Sequence, residues 1–163
     1  MKIKSLICRA DNTLREVISH INYSGKGVAF IVQEDGKFIR TLSDGDIRKV
    51  LLAGCDLDTR AGSLFNKSSK ERKKVDDYYI GTKFKGFLGR KSITAPIGTP
   101  LDELVKSVSK RIWIIPLLDK DGHVADFFEY KVRTNWPISS TNLLIFIKNA
   151  HLETALTKQH SCT

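Results

Sequence analysis

The sequence holds only three cysteines, Cys8, Cys55 and Cys162, far apart and without a Cys-x-x-Cys pair. That spacing argues against a disulfide framework and against a zinc site, and buried or incidental thiols are the expectation. Long apolar runs are missing too. The longest, Val28 to Val32 and Leu143 to Ile147, fall far short of the ~20 residues a membrane-crossing helix needs. The basic start Met-Lys-Ile-Lys-Ser meets Arg9 and Asp11 before a secretory apolar core can form, so a cytoplasmic chain with no membrane partner is expected. His20, His123, His151 and His160 have no Cys, Asp or Glu at the spacing of a metal site or a catalytic triad. No enzyme activity is expected.

What is present fits a soluble globular chain. The 163 residues are 41% hydrophobic and 28% charged, which suits one typical domain or two very small ones and excludes wholesale disorder. The net charge of +9 favours anionic partners such as nucleotides, nucleic acid or acidic lipid head groups.

An internal duplication is the most informative feature. Thr13-Leu14-Arg15-Glu16-Val17-Ile18 reads like Pro100-Leu101-Asp102-Glu103-Leu104-Val105, and each segment carries apolar residues at helical spacing. Leu14, Val17, Ile18 and Ile21 form one stripe; Leu101, Leu104, Val105 and Val108 form the other. After each comes an apolar run, Val28 to Val32 or Ile112 to Leu118, then Asp35-Gly36 or Asp121-Gly122, then a second short apolar run. That is strand, tight turn, strand. Leu14 and Leu101 are 87 apart and Asp35 and Asp121 are 86 apart, so the register survives with a one-residue slip. A helix from Gly45 to Ala53 follows in the first copy, with Ile47, Val50 and Leu51 on one face and Gly54 as its stop. In the second copy Pro137 breaks the corresponding position.

The remaining stretches differ in character. Lys67, Lys70, Arg72, Lys73 and Lys74 form a basic run, and Tyr78, Tyr79, Phe84 and Phe87 then alternate with Lys83, Lys85, Arg90 and Lys91. Strands are expected around Tyr79–Ile80 and Ser92–Ala95. The segment from Ser140 to Thr157 has apolar residues at roughly helical spacing. These boundaries give a first repeat over 1–60, a basic and aromatic insertion over 61–91, a second, degenerate repeat over 92–135 and a helical tail over 136–163.

The candidate chemistry sits where the first copy runs Thr41-Leu42-Ser43-Asp44-Gly45-Asp46-Ile47-Arg48-Lys49. A strand entering a helix N-terminus offers unpaired backbone N–H groups and the positive end of the dipole to an anion. Gly45 lets a ligand approach the backbone. The Ser43 hydroxyl can reach a phosphate, Asp46 can accept from two ribose hydroxyls, and Arg48 and Lys49 supply positive charge. The same residues also make a good helix start, with Asp44 as N-cap and Asp46 complementing the dipole.

Taken together, the two copies and the Arg40-to-Arg48 segment resemble a tandem of cystathionine-β-synthase (CBS) domains over about Met1 to Val132. The resemblance implies an α/β (α+β) fold of two βαββα repeats packed as a pseudo-twofold pair, with an inserted basic linker and a C-terminal helix. It implies an adenine nucleotide such as AMP, ADP or ATP, with Ser43 and Asp46 on its phosphate and ribose, and with Val28 and Ala29 against its base. Ile114 and Ile115 are the counterparts of Val28 and Ala29. Arg40 stands where the family carries glycine, so it either obstructs the base or reaches a phosphate. In the second copy the equivalent positions are Asp126, Glu129 and Val132, and a vacant or altered second site is expected. The Thr41-to-Lys49 segment is similar to that of CBS pairs preceding sugar-phosphate nucleotidyltransferase domains. This implies a regulatory portion controlling a nucleotidyltransferase or other enzyme partner in nucleotide-sugar metabolism, and the family implies a homodimer. Two rival functions remain: single-stranded nucleic-acid binding through the basic and aromatic insertion, and a structural interaction module without ligand.

Overall fold

In the computed structural model, residues 3–108 and 113–130 are described. Each repeat starts with a short strand. In the first, β1 (Ile7–Arg9) leads to α1 (Leu14–Ser24), the hairpin β2 (Val28–Val32) and β3 (Phe38–Ser43), and then α2 (Asp44–Leu52). In the second, β4 (Ala95–Pro96) leads to helix Leu101–Lys106 and the hairpin Ile114–Leu118 and Val124–Glu129. Between them lie two 3-10 turns, Ala61–Phe65 and Phe87–Gly89, and a helix over Lys70–Tyr78. In chain order these become α3 (Lys70–Tyr78), α4 (Leu101–Lys106), β5 (Ile114–Leu118) and β6 (Val124–Glu129).

The duplication is visible in hydrogen-bond register. Each sheet has three strands, with the first parallel to the second and the second antiparallel to the third. Val28 pairs with Ser43 and Ile31 with Arg40; Ile114 pairs with Glu129 and Leu117 with Asp126. Both hairpins slip at the same place, between Ile31 and Val32 and between Leu117 and Leu118. The 86-residue offset read from the two Asp-Gly turns therefore holds along the whole hairpin. Gly36 and Gly122 adopt φ of 87° and 86°, a conformation glycine reaches without steric cost. The two turns lie side by side, with Phe38 N–H donating to the Gly122 carbonyl at 2.9 Å.

Strand alternation sorts the core into layers. Ala29 and Ile31 of β2 face α1 and α2, where they join Leu14, Val17, Ile21, Ile47 and Val50 in one cluster. Val28 and Phe30 face the other way, into a cluster with Leu6, Ile114 and Phe127. That second cluster is drawn from both repeats and welds the sheets together. Ile115, Leu117 and Phe128 pack under Leu104 of α4. Caps fix the helix starts: Thr13 and Glu16 form a capping box on α1, and Gly25, at φ 64°, ends it.

The connecting segment departs from expectation. No strand forms at Tyr79–Ile80. Ser69 caps α3 by accepting from the Arg72 N–H at 3.0 Å, and Tyr79 closes that helix. Val75 and Tyr79, four residues apart, share its buried side, a spacing that outweighs the strand preference of two adjacent tyrosines. Ala61, Leu64, Val75, Tyr79 and Leu88 all enter the first core cluster, so this segment completes the packing of repeat one. The strand expected near Ser92–Ala95 is present only as the two residues of β4. The expected C-terminal helix, the Pro137 break and Val132 lie outside the described residues.

Candidate functional site

The end of β3 and the start of α2 are held by a reciprocal pair. Ser43, not Asp44, is the N-cap: its Oγ accepts from the Asp46 N–H at 3.1 Å and donates to Asp46 Oδ2 at 2.7 Å. Asp46 Oδ2 also accepts from the Ser43 N–H at 3.3 Å, and Lys49 Nζ lies 3.0 Å from Oδ1. Ser-x-x-Asp thus forms a capping box, a local job that needs no ligand. The one Ser43 hydroxyl hydrogen is spent on Asp46, so Ser43 keeps an acceptor position, while the Asp46 carboxylate, with about four acceptor positions, keeps capacity toward a hydroxyl donor.

These residues open onto a cavity of about 570 Å³, within the size range of small-molecule sites. Three parts of the chain line it. Repeat one gives Gly27, Val28, residues 40–46 and Lys49; the connecting segment gives Phe84, Phe87, Leu88 and residues 90–93; repeat two gives Trp113 and Ile114. Gly27 and Trp113, like Val28 and Ile114, are equivalent positions of the duplication, so the cavity straddles both repeats. A side chain at Gly45 would meet only Ser43 Oγ, at 3.8 Å, leaving the backbone at the helix start open to the cavity.

Of the residues singled out from sequence, Ser43, Gly45, Asp46, Arg40 and Val28 line this space together. Ala29 and Arg48 do not. Ala29 points to the opposite face of β2 and is fully buried under the helices, as alternation from Val28 requires. Arg48 lies on the exposed side of α2 and pairs with Asp44 one turn back. Arg40 points its guanidinium over the Phe65 ring at 5.4 Å, while its Nε and the Thr41 hydroxyl are buried without a partner. Burial, and then the nearby Arg72, pull the Arg40 pKa below the usual arginine range.

Sequence reasoning gave the connecting segment no part in this cavity. Phe84 and Phe87 support its wall by holding Lys49 Nζ at 5.3 and 4.9 Å from their ring centres. Both rings also pack edge-on against Tyr79, whose hydroxyl donates to the Lys49 carbonyl at 3.1 Å. The alternation of aromatic with basic residues was the available signal; Tyr79, Phe84 and Phe87 gather into one ring cluster beside Lys49, while Tyr78 stays exposed.

At the duplicated position the second repeat is filled differently. Glu129 stands where Ser43 does, and Lys26 of repeat one reaches both its carboxylate oxygens at 2.7 and 2.6 Å. The two side chains are only 15% and 11% exposed. The separation of His123 from acidic ligands expected from sequence is also corrected: the turn brings Asp119, Asp121 and His123 within 4.8 Å of one another. Asp119 is held below the ordinary carboxylate range, chiefly by the His123 backbone N–H. No helix among the described residues is long and apolar enough to cross a membrane.

No protein-family model and no curated protein matches the sequence. Solved structures do match in fold. A CBS domain protein from Pyrobaculum aerophilum complexed with AMP aligns with a TM-score of 0.54 at 16% identity, over 76% of this chain and 79% of that one. The CBS domains of a transcriptional regulator from Streptococcus pneumoniae align at 0.54 with 6% identity, over 79% and 87%. A CBS domain pair in complex with 5′-methylthioadenosine and S-adenosyl-L-methionine aligns at 0.50 with 18% identity, over 76% and 83%. At these identities the likeness is one of architecture, and the two repeats of this chain are folded and arranged as a CBS domain pair.

Proposed function

We propose that the chain is a regulatory module that senses a nucleotide in the cavity between its repeats and passes the occupancy on to a partner. The observation that carries this reading is the open cavity onto which Ser43, Gly45 and Asp46 converge at a helix start. Phosphate meets the Gly45 N–H at the positive end of α2, the Asp46 carboxylate faces the sugar, and Val28, Ile114 and Trp113 supply apolar surface for a base. The adenine nucleotides and adenosyl compounds held by structures of the same fold support an adenine ligand. Binding acts through the difference in affinity for two packings of the repeats, commonly 1–3 kcal/mol. The homodimer and the enzyme partner in nucleotide-sugar metabolism belong to the same proposal; the first rests on the family resemblance as a whole and the second on the resemblance of Thr41–Lys49.

Titration calorimetry with AMP, ADP, ATP, S-adenosylmethionine and CMP tests it. One or more should bind at micromolar to millimolar Kd, and Asp46→Ala should abolish the heat. Because Asp46 also caps α2, that substitution should lower stability by about 1 kcal/mol, so circular dichroism must first show the variant folded. Absence of heat from every compound with the folded wild-type chain would remove the sensor reading.

A further inference from the structure

The charge of the cavity wall is unbalanced in a way that specifies the ligand further. Two carboxylates line it, and both are already neutralised: Asp44 by Arg48, which stands outside the cavity, and Asp46 by Lys49 at 3.0 Å. Three other cations line the same space, Arg40, Arg90 and Lys91. Among the described residues none of the three enters an ion pair. The Arg90 guanidinium donates one bond, to the Lys83 carbonyl at 3.3 Å, a neutral acceptor that leaves the charge uncompensated and the other N–H groups available. Arg40, half-buried with its guanidinium over the Phe65 ring, presents an Nε with no acceptor, a donor that an anion in the cavity could satisfy.

The surplus has two origins. Arg40 projects from β3 beside the helix start that would hold a first phosphate. Arg90 and Lys91 come from the connecting segment, a different wall, and are not needed for an anion held by α2. We infer that this cavity selects a nucleoside polyphosphate, the α2 N-terminus holding one phosphoryl group while Arg40, Arg90 and Lys91 engage those that follow. The inference rests on the nucleotide reading above and narrows it: a monophosphate leaves cations unmatched, and a positively charged adenosyl sulfonium is disfavoured by the same field. Each charge-assisted bond to an added phosphoryl group strengthens binding roughly tenfold or more.

Calorimetry with adenosine, AMP, ADP, ATP and S-adenosylmethionine, in EDTA so that the phosphates carry their full charge, tests this. Affinity should rise from AMP to ATP by at least about tenfold and fall with added salt. In the double variant Arg90→Gln/Lys91→Gln, whose side chains lie at the surface, ATP should weaken to near the AMP value while AMP changes by less than about threefold. Arg40→Gln gives a second reading of the same kind from the buried side. Equal affinity for AMP and ATP, tighter binding of S-adenosylmethionine, or an ATP preference that survives in both variants overturns the polyphosphate assignment and leaves the nucleotide site standing. Failure of every compound to bind the folded wild-type chain overturns both.

Discussion

Buried side chains in this chain hold protons as firmly as they hold packing. Cys8 on β1 is 1% exposed, and burial, with Glu16 nearby, pushes its thiol up to about 12. The unfolded chain loses that proton near the ordinary value of about 8.5. The contribution to stability is therefore fully present below about pH 8.5 and is lost progressively as pH rises toward 12, because only the unfolded state can release the proton in that window. Urea midpoints should fall from pH 8 to pH 10 more steeply in the wild type than in Cys8→Ala, and Cys8 should resist thiol reagents at pH 8. Identical slopes would show that the thiol is not held in this way. Ser43 and Asp46 were legible in the sequence as cavity-lining residues because the short Ser-x-x-Asp pattern marks a helix start. Ala29 and Arg48 were misplaced by a one-residue strand alternation and by a local ion pair. Arg90 and Lys91 were invisible as cavity-lining residues, since nothing local says that a segment more than forty residues after Asp46 folds back beside it.

Helices and hairpins of the two repeats follow from periodicity, and their register follows from the Asp-Gly turns, so the sequence carries them with errors of only a few residues. The connecting segment is harder to read because tertiary packing decides its form. Its anchor is a close approach at Gly62, whose N–H donates to the Ala10 carbonyl at 2.8 Å. A methyl group there would lie 2.8 Å from the Ala10 Cβ and 2.9 Å from the Ala10 carbonyl oxygen. Gly62→Ala should cost about 1–3 kcal/mol by forcing the 3-10 turn off β1, measured by urea unfolding. Because the segment also walls the cavity, ATP affinity should fall in the same variant. A loss below about 0.5 kcal/mol would mean that the turn can shift freely.

Across the whole molecule the duplication is asymmetric. One repeat opens a cavity at its helix start; the other spends the equivalent position on the Lys26–Glu129 pair, whose partners lie 103 residues apart. Lys26→Met should cost about 3 kcal/mol by taking the opposite charge away from a nearly buried carboxylate, and Lys26→Met with Glu129→Leu should recover most of it. A double-mutant cycle in urea measures the coupling directly. A coupling near zero would show that the apolar cluster and the contact between the turns join the repeats without help from this pair.

The apolar cluster shared by the sheets has a consequence during synthesis. Leu6, Val28 and Phe30 leave the ribosome long before Ile114 and Phe127, which cover them in the finished protein. At roughly 5–20 residues per second, the amino-terminal half waits several seconds with one greasy sheet surface bare and a lysine lacking its counter-ion. Nascent chains of this protein therefore have a defined interval of vulnerability to aggregation, ended only when the second hairpin emerges and docks.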